Sequence, residues 1–369
     1  MAESPGPVRV SVVGAGLIGG SVALALARAD DIEVVSVYDA DAATAEAAVA
    51  AGAAQRAACA PADAAREADV VFVCVPASAV TETISSLAEG LRPGAIVSDT
   101  ASVKDPIVAG AIAALGRSDG RFVGGHPMAG SERSGFGAAS AELFRNASWV
   151  LTPTAETDPD AVATISGLVR AAGATPLILE PSLHDSAVAT VSHLPQLIAS
   201  ALMNVAARHS EDAPPVLHVA AGGFRDVTRI AAGSPSVWED IIAENSPAVA
   251  AILDEYIAEL TLMRESLGDR ESVHELLSRA QTARRSLPRA VADDELWLVA
   301  VHVSDRPGEF AELTTAVGEA GVNVVDIGLR HSPEGGRGVL HLTIAGERAA
   351  ETAVAALRER GHVVHRERG

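Results

Sequence analysis

The first forty residues restrict the fold more than any other stretch. Val8 to Val13 is an apolar run of strand length, Gly14-Ala15-Gly16-Leu17-Ile18-Gly19 follows at once, and Val22 to Arg28 continues at helical spacing. Strand, glycine turn and helix in that order open a dinucleotide-binding sheet. Gly14 permits the tight turn, Gly16 lets backbone approach a pyrophosphate, and Gly19 lets helix and strand pack closely. Leu17 and Ile18 lie in the same stretch, ahead of the helix whose N-terminus favours an anion, and are counted with the cofactor site. A second apolar strand, Ile32 to Tyr38, ends at Asp39, where a carboxylate can accept bonds from an adenosine ribose. An acid there repels the extra phosphate of NADP, so the expected cofactor is NAD.

The alternation continues. Asp69 to Pro76 reads as a buried strand, Ala79 to Ala88 as helix, and Ala95 to Ser98 as strand; strands near Ser148 to Leu151 and Thr175 to Leu179 flank a helix from Pro159 to Ala172. Residues 1–180 are therefore expected to form a Rossmann-type α/β domain with a doubly wound parallel sheet. Ligands of such sheets gather outside the carboxyl ends of strands, where Pro76, Ser102 and His126 fall. His126 is held between Gly125 and Pro127, and an imidazole titrates near neutrality, which makes it a candidate base. Ser102 has two compatible readings: a hydrogen-bonding neighbour of His126 or of a ligand hydroxyl, and an N-cap for a helix starting at Val103.

From residue 181 to residue 283 strand patterns give way to helical spacing, in Leu183 to His209, Pro214 to Ala220, Trp238 to Asn245 and Ser246 to Leu267. Helices this apolar need a partner surface, so an all-α domain that also makes a homodimer is expected. Asp226 and Arg229 are three apart, share a face of a helix and can pair there. An arginine fork also matches a carboxylate. Residues 284–295 read as a charged, proline-containing linker. Beyond it, residues 296–369 run strand, helix, strand, strand, helix, strand.

Composition excludes other classes. A net charge of −20 repels nucleic acid, and no apolar run approaches the ~18 residues of a membrane span. With 2 cysteines no disulfide framework is implied, and a cytoplasmic location fits; no metal is expected. A hydroxyacid dehydrogenase with a lysine base in its helical domain fails because Lys104 lies in the first domain.

Gly14 to Ser21, Ser102, Gly124-Gly125-His126-Pro127-Met128-Ala129-Gly130-Ser131-Glu132, Ser192 to Pro195, Gly222-Gly223-Phe224-Arg225-Asp226-Val227-Thr228-Arg229 and Trp238 together resemble the prephenate dehydrogenase family of tyrosine biosynthesis. The resemblance implies NAD-dependent oxidation of prephenate to 4-hydroxyphenylpyruvate and CO2. By it, His126 is the catalytic base and Ser102 its hydrogen-bonding neighbour. It also makes Arg229 the anchor for a substrate carboxylate, Glu132 with Asp226 an ionic gate, His193 a neighbour of nicotinamide and substrate, and Trp238 a closing group. Relatives carry a second histidine where this chain has Gln196, which leaves arogenate as the alternative substrate. The C-terminal segment resembles the ACT family of amino-acid-sensing domains through Asp305 to Gly308 and Asn323 to Asp326. That implies an effector site at Asp305, Gly308, Asn323 and Asp326, with tyrosine the natural effector and a purely dimerising role the alternative. A non-catalytic reading, an NAD-loaded amino-acid sensor, leaves His126, Ser102 and Arg229 without a purpose.

Overall fold

The computed structural model describes residues 6–116, 120–130, 133–212, 216–286, 296–304, 306–331 and 337–368. The chain divides into two compact units, residues 1–262 and 263–369.

In the first unit strands and helices alternate: β1 (Val8–Val13), α1 (Leu17–Leu26), β2 (Ile32–Tyr38), α2 (Ala42–Ala50), β3 (Arg56–Ala57), α3 (Pro61–Ala65), β4 (Val70–Val73), α4 (Val80–Leu87), β5 (Ile96–Asp99), α5 (Asp105–Leu115), β6 (Phe122–Pro127), β7 (Ser148–Thr152), α6 (Pro159–Ala171) and β8 (Thr175–Ile178). They build one sheet in the order β3-β2-β1-β4-β5-β6-β7-β8. The strands from β3 to β6 are parallel, whereas β7 pairs antiparallel with β6 and parallel with β8. The expected parallel sheet thus carries two reversed strands at one edge.

Strand β4 shows why the sheet is buried on both faces. Val70 and Phe72 join a core with α1, α2 and α6, while Val71 and Val73 join a second core with α3, α4 and α5. A strand covered on both sides reads as an unbroken apolar run, as this one does.

The rest of the first unit is helical: α7 (Pro181–Val188), a π turn (Ala189–His193), α8 (Leu194–Asp212), α9 (Gly222–Thr228), a 3-10 turn (Arg229–Ala232), α10 (Pro235–Glu244) and α11 (Ser246–Ser266), whose last residues pass into the second unit. The sequence predicts one helix from Leu183 to His209; the structure interrupts it with the π turn. Pro195 explains the interruption, because it has no N–H to return to the carbonyl one turn earlier and its ring crowds that carbonyl. Of the expected Pro214 to Ala220 helix, only a 3-10 turn at Leu217–Val219 lies among the described residues.

By length and composition Pro181–Glu211 is long and apolar enough to cross a membrane, with a mean hydropathy of 1.2, contrary to the expectation from apolar runs. It carries buried His184, Asp185, His193 and Gln196 into the protein interior, and its other face exposes Val191, Leu202 and Val205.

The second unit contains α12 (Arg270–Arg285), β9 (Leu296–Ser304), α13 (Glu309–Glu319), β10 (Val324–His331), β11 (Arg337–Ala345), α14 (Glu347–Glu359) and β12 (Val364–Arg368). The strands form an antiparallel sheet in the order β10-β11-β9-β12 around a separate core of Val299, Val301, Leu313, Leu340, Leu342 and Leu357. This is the expected βαββαβ arrangement. Of the proposed effector positions, Gly308 caps α13 in the left-handed region at φ 89°, Asn323 and Asp326 are exposed, and Asp305 lies outside the described residues.

The order reversal between β1 and β4 opens the crevice that the glycine turn lines. Gly14 has φ 93°, and a Cβ on it would lie 2.4 Å from the Cys74 carbonyl oxygen. A Cβ on Gly19 would lie 1.8 Å from the Gly14 carbonyl oxygen, so this glycine sets how closely α1 meets the turn. Gly16 differs: a Cβ there meets no atom within 4 Å, although its φ of −67° suits any residue. The space beside Gly16 is open, and on the sequence reading it is where the pyrophosphate approaches. Gly16→Ala should therefore leave the thermal midpoint unchanged and weaken dinucleotide binding, whereas Gly19→Ala should also destabilise the fold by about 1–3 kcal/mol. Calorimetry and cofactor titration of both variants check this; equal thermal losses would mean that packing alone selects both glycines.

Candidate active site

The crevice at the carboxyl ends of β1 and β4 holds a cavity of about 450 Å³ lined by Gly14, Gly16, Asp39, Pro76, Glu82 and Ser86, among others. Asp39 is fixed there because its two oxygens accept the backbone N–H groups of Ala15 at 2.7 Å and Asp41 at 3.0 Å. Leu17 and Ile18 begin α1, which has no side-chain cap on its first turn. Uncapped N–H groups, an open glycine and a fixed carboxylate suit a dinucleotide's pyrophosphate and ribose. Cys74 lines the same wall, with its thiol pushed up to about 12 by burial, which keeps it inert.

His126 stands near the end of β6, paired with Val150 of β7. Its position is set from beneath. Asp99, fully buried at the end of β5, accepts the Gly125 N–H at 3.1 Å and pairs with Lys104, whose Nζ donates to the Gly125 carbonyl at 2.8 Å. Burial lowers the Lys104 ammonium below its ordinary range, and Asp99 opposes the shift. A Cβ on Gly125 would lie 2.6 Å from the Asp99 carbonyl oxygen, so only glycine lets the two strands approach here.

The imidazole is partly exposed, and its Nδ1 lies 2.8 Å from Nε2 of buried His184. The rings meet edge to face with centroids 5.1 Å apart. Nδ1 of His184 is 2.8 Å from Asp185 Oδ1. Asp185 also caps α5, accepting the N–H groups of Lys104 at 2.7 Å and Asp105 at 2.8 Å. Desolvation, then the neighbouring His184, Lys104 and His193, hold the His126 pKa well below 6.5. The ring is neutral at pH 7, as a proton acceptor must be.

A second group of side chains joins this one. Asn245, buried between α10 and α11, donates through Nδ2 to the Asp185 carbonyl at 2.9 Å and to His193 Nδ1 at 3.2 Å. The π turn brings His193 inward, and Trp238 of α10 meets it edge to face at 6.2 Å. Burial lowers the pKa of His193 to about 4, with Asp185 opposing, so it too is neutral. Gln196 is buried on the next turn, and its amide oxygen has no partner. Among the sequence candidates, then, the structure joins His126, His193 and Trp238 in one network and sets Gln196 one turn further on.

The others stand apart from it. Ser102 is half-buried and makes no hydrogen bond among the described residues, where the neighbour of His126 is His184 instead; nor does Ser102 cap α5, a role that falls to Asp185. Asp226 ends one turn of α9 and Arg229 opens the 3-10 turn; both are exposed, and among the described residues they make no ion pair. The α-helix gives way to the 3-10 turn between them. The 3-10 turn itself packs on α8, the helix that carries Gln196. Glu132 lies outside the described residues. Sequence reasoning missed His184, Asp185 and Asn245. The adjacent His-Asp pair in an otherwise apolar helix was the available signal, and only folding shows where it points.

Residues 22–177 match the family model described as prephenate dehydrogenase, nucleotide-binding domain; residues 180–279 match its dimerization domain; residues 297–362 match the ACT domain. The prephenate dehydrogenase of Bacillus subtilis is 32% identical over 90% of this chain and 91% of its own length. The cyclohexadienyl dehydrogenase of Zymomonas mobilis is 34% identical over 75% of this chain and 95% of its own. Among solved structures, the prephenate dehydrogenase of Aquifex aeolicus, in complex with hydroxyphenyl propionate and NAD+, superposes with a TM-score of 0.70 at 30% identity, covering 78% of this chain and 100% of that one. Synechocystis arogenate dehydrogenase gives 0.69 at 31%, covering 76% and 100%. The glycine-lined crevice of the sheet, the helical region that follows it and the C-terminal βαββαβ unit all agree with these matches, and the chain belongs to the prephenate dehydrogenase family.

Proposed function

We infer that the protein catalyses the NAD-dependent oxidative decarboxylation of prephenate to 4-hydroxyphenylpyruvate, with NADH and CO2 as the other products. The observation that carries this is the neutral His126, held by a buried network near the carboxyl end of β6, in the same sheet whose β1 and β4 form the nucleotide crevice. NAD bound in that crevice supplies the hydride acceptor. His126 takes the proton of the ring hydroxyl as hydride leaves the same carbon, so that the oxygen becomes a carbonyl able to receive the electrons released with CO2. A protonated group in its place would promote loss of water and give the wrong product. Arg229, exposed and without an ion partner among the described residues, is free to bind a substrate carboxylate bidentately. Its contribution is orientation, since a firm hold on the departing carboxylate would oppose its loss. Ser102 has a free hydroxyl for the ligand, and Trp238 closes over His193.

A second reading, arogenate as substrate, rests on Gln196. Its unpartnered amide oxygen suits the ammonium that arogenate carries where prephenate has a keto group. NADH formation measured with each substrate separates the two.

We further propose a cytoplasmic homodimer, with the helical region as the interface and the ACT unit binding tyrosine. The free Cys59 and Cys74 suit a reducing compartment. Exposed Val191, Val219, Val227, Val237 and Leu262 give the helical region an apolar surface that suits a second copy.

His126→Asn should keep NAD affinity and lower turnover by roughly 100-fold or more, as for loss of a positioned base; unchanged turnover would remove His126 from the chemistry. Because its pKa lies well below 6.5, kcat/KM should stay level as pH falls to 6.5 and decline only below that, when the base becomes protonated. An acid limb centred at or above 6.5 would contradict the assignment. Removing residues 296–369 should leave turnover intact and abolish inhibition by tyrosine, read from NADH formation with and without the amino acid; inhibition that survives would locate the effector elsewhere.

A further inference from the structure

The hydrogen bonds around Asp185 determine which nitrogen of His126 is bare. Asp185 accepts two backbone N–H groups, from Lys104 and Asp105, and these can only donate. It is therefore a carboxylate, and the short contact to His184 requires a proton on His184 Nδ1. With His184 neutral, its bare Nε2 accepts from His126 Nδ1–H at 2.8 Å. That state of His184 leaves His126 with hydrogen on Nδ1 and a lone pair on Nε2, the atom left for substrate.

We propose that His184 and Asp185 are positioning residues that form, with His126, an inward proton relay. His126 Nε2 takes the proton from the substrate hydroxyl as hydride departs, and the Nδ1 proton of His126 passes to His184 Nε2. His126 ends neutral, with its hydrogen on Nε2; His184 ends as an imidazolium against the Asp185 carboxylate, which stays ionised. One proton enters the chain and one positive charge rests at its inner end, so the step balances without a further reactant. The relay answers a difficulty in the site. The ionisable groups facing His126 are Lys104 and Asp99 beneath it, His184 and Asp185 from α7, and His193 from the π turn. Lys104, His184 and His193 disfavour a cation on His126, and Asp99 is already paired with Lys104. Asp185 provides a counter-charge one ring further in.

The proposal rests on the assigned reaction, so its test has one arm that does not. In the protein without substrate, 15N NMR of the histidine rings should show His126 as the Nδ1–H tautomer, and His184→Phe should release that preference. A His126 found as the Nε2–H tautomer would overturn the proposal whether or not prephenate is the substrate. In the second arm, single-turnover NADH formation from prephenate is followed in H2O/D2O mixtures. The wild type should give a curved dependence from two protons in flight. His184→Gln keeps an acceptor for His126 Nδ1–H but cannot carry the proton; it should give a linear dependence and a rate at least 10-fold lower, with KM within about twofold. A linear dependence in the wild type, or an unchanged rate and pH profile in His184→Gln, would reduce the chain to packing. If neither prephenate nor arogenate yields NADH, the reaction assignment fails, while the tautomer arm still decides the hydrogen-bond chain.

Discussion

One carboxylate joins the parts of the first unit. Asp185, from α7, accepts two N–H groups at the start of α5, the helix that follows the sheet strand next to that of His126, and it accepts His184 as well. Its own carbonyl takes Asn245 from the far side of the helical region. A buried anion is costly unless several donors surround it, and here the carboxylate's donors come from two stretches of chain, the start of α5 and His184 of α7. The anion is thus satisfied only when α7 has docked on the sheet and its α5. His126 does not reach its observed geometry in either piece alone.

Beneath this lies a second buried charge pair, Lys104 with Asp99. The desolvation of such a pair offsets most of its attraction, so stability is a weak reason for its presence. Position is a better one. Asp99 holds the N–H of Gly125 and Lys104 holds its carbonyl, and that residue immediately precedes His126. The same crowding leaves Ser98 Oγ, Trp149 Nε1 and Thr152 Oγ1 buried without partners around the two glycines of β6. Strand β6 is fitted so closely behind the base that polar satisfaction is lost there. Such unsatisfied groups are expected where site geometry, rather than stability, selects the packing.

The sheet and the ACT unit were legible because their signals are local. Glycine positions, apolar runs and helix spacing each act over a few residues, and the expected strands of the sheet and of the ACT unit recur in the structure. The turn at Gly14 and the close packing at Gly19 could be read from the glycines themselves. The site was legible only in part. His126 declares itself through Gly125 and Pro127, but its partner lies 58 residues on, in a helix whose periodicity looks like ordinary core. Ser102 looked like a cap because serine favours that place, yet a carboxylate brought in by another helix has taken it. The Asp226–Arg229 pair fails for a different reason: both side chains are exposed, where solvent screening leaves an isolated ion pair little to gain. The π turn was hidden because periodicity does not register one inserted residue, although Pro195 marks where the hydrogen-bond pattern must give way.

The exposed state of Arg229 bears on how the site is completed. A guanidinium in open water gains little from one carboxylate, because solvent screens the pair and the long side chain loses freedom on binding. The same cation under an apolar cover binds far more firmly, since the dielectric falls and the fork geometry is retained. Within the first unit the residues around Arg229 provide no such cover: Val227 and Val237 are more than half exposed, as is Val219. These valines are themselves an apolar surface, of the kind that a second copy of the helical region would bury. In the proposed dimer, association and substrate capture would be linked by the same desolvation. A contact that buried the valines would also dry the arginine, and an acidic chain that repels a dianion over most of its surface would acquire one place to hold it.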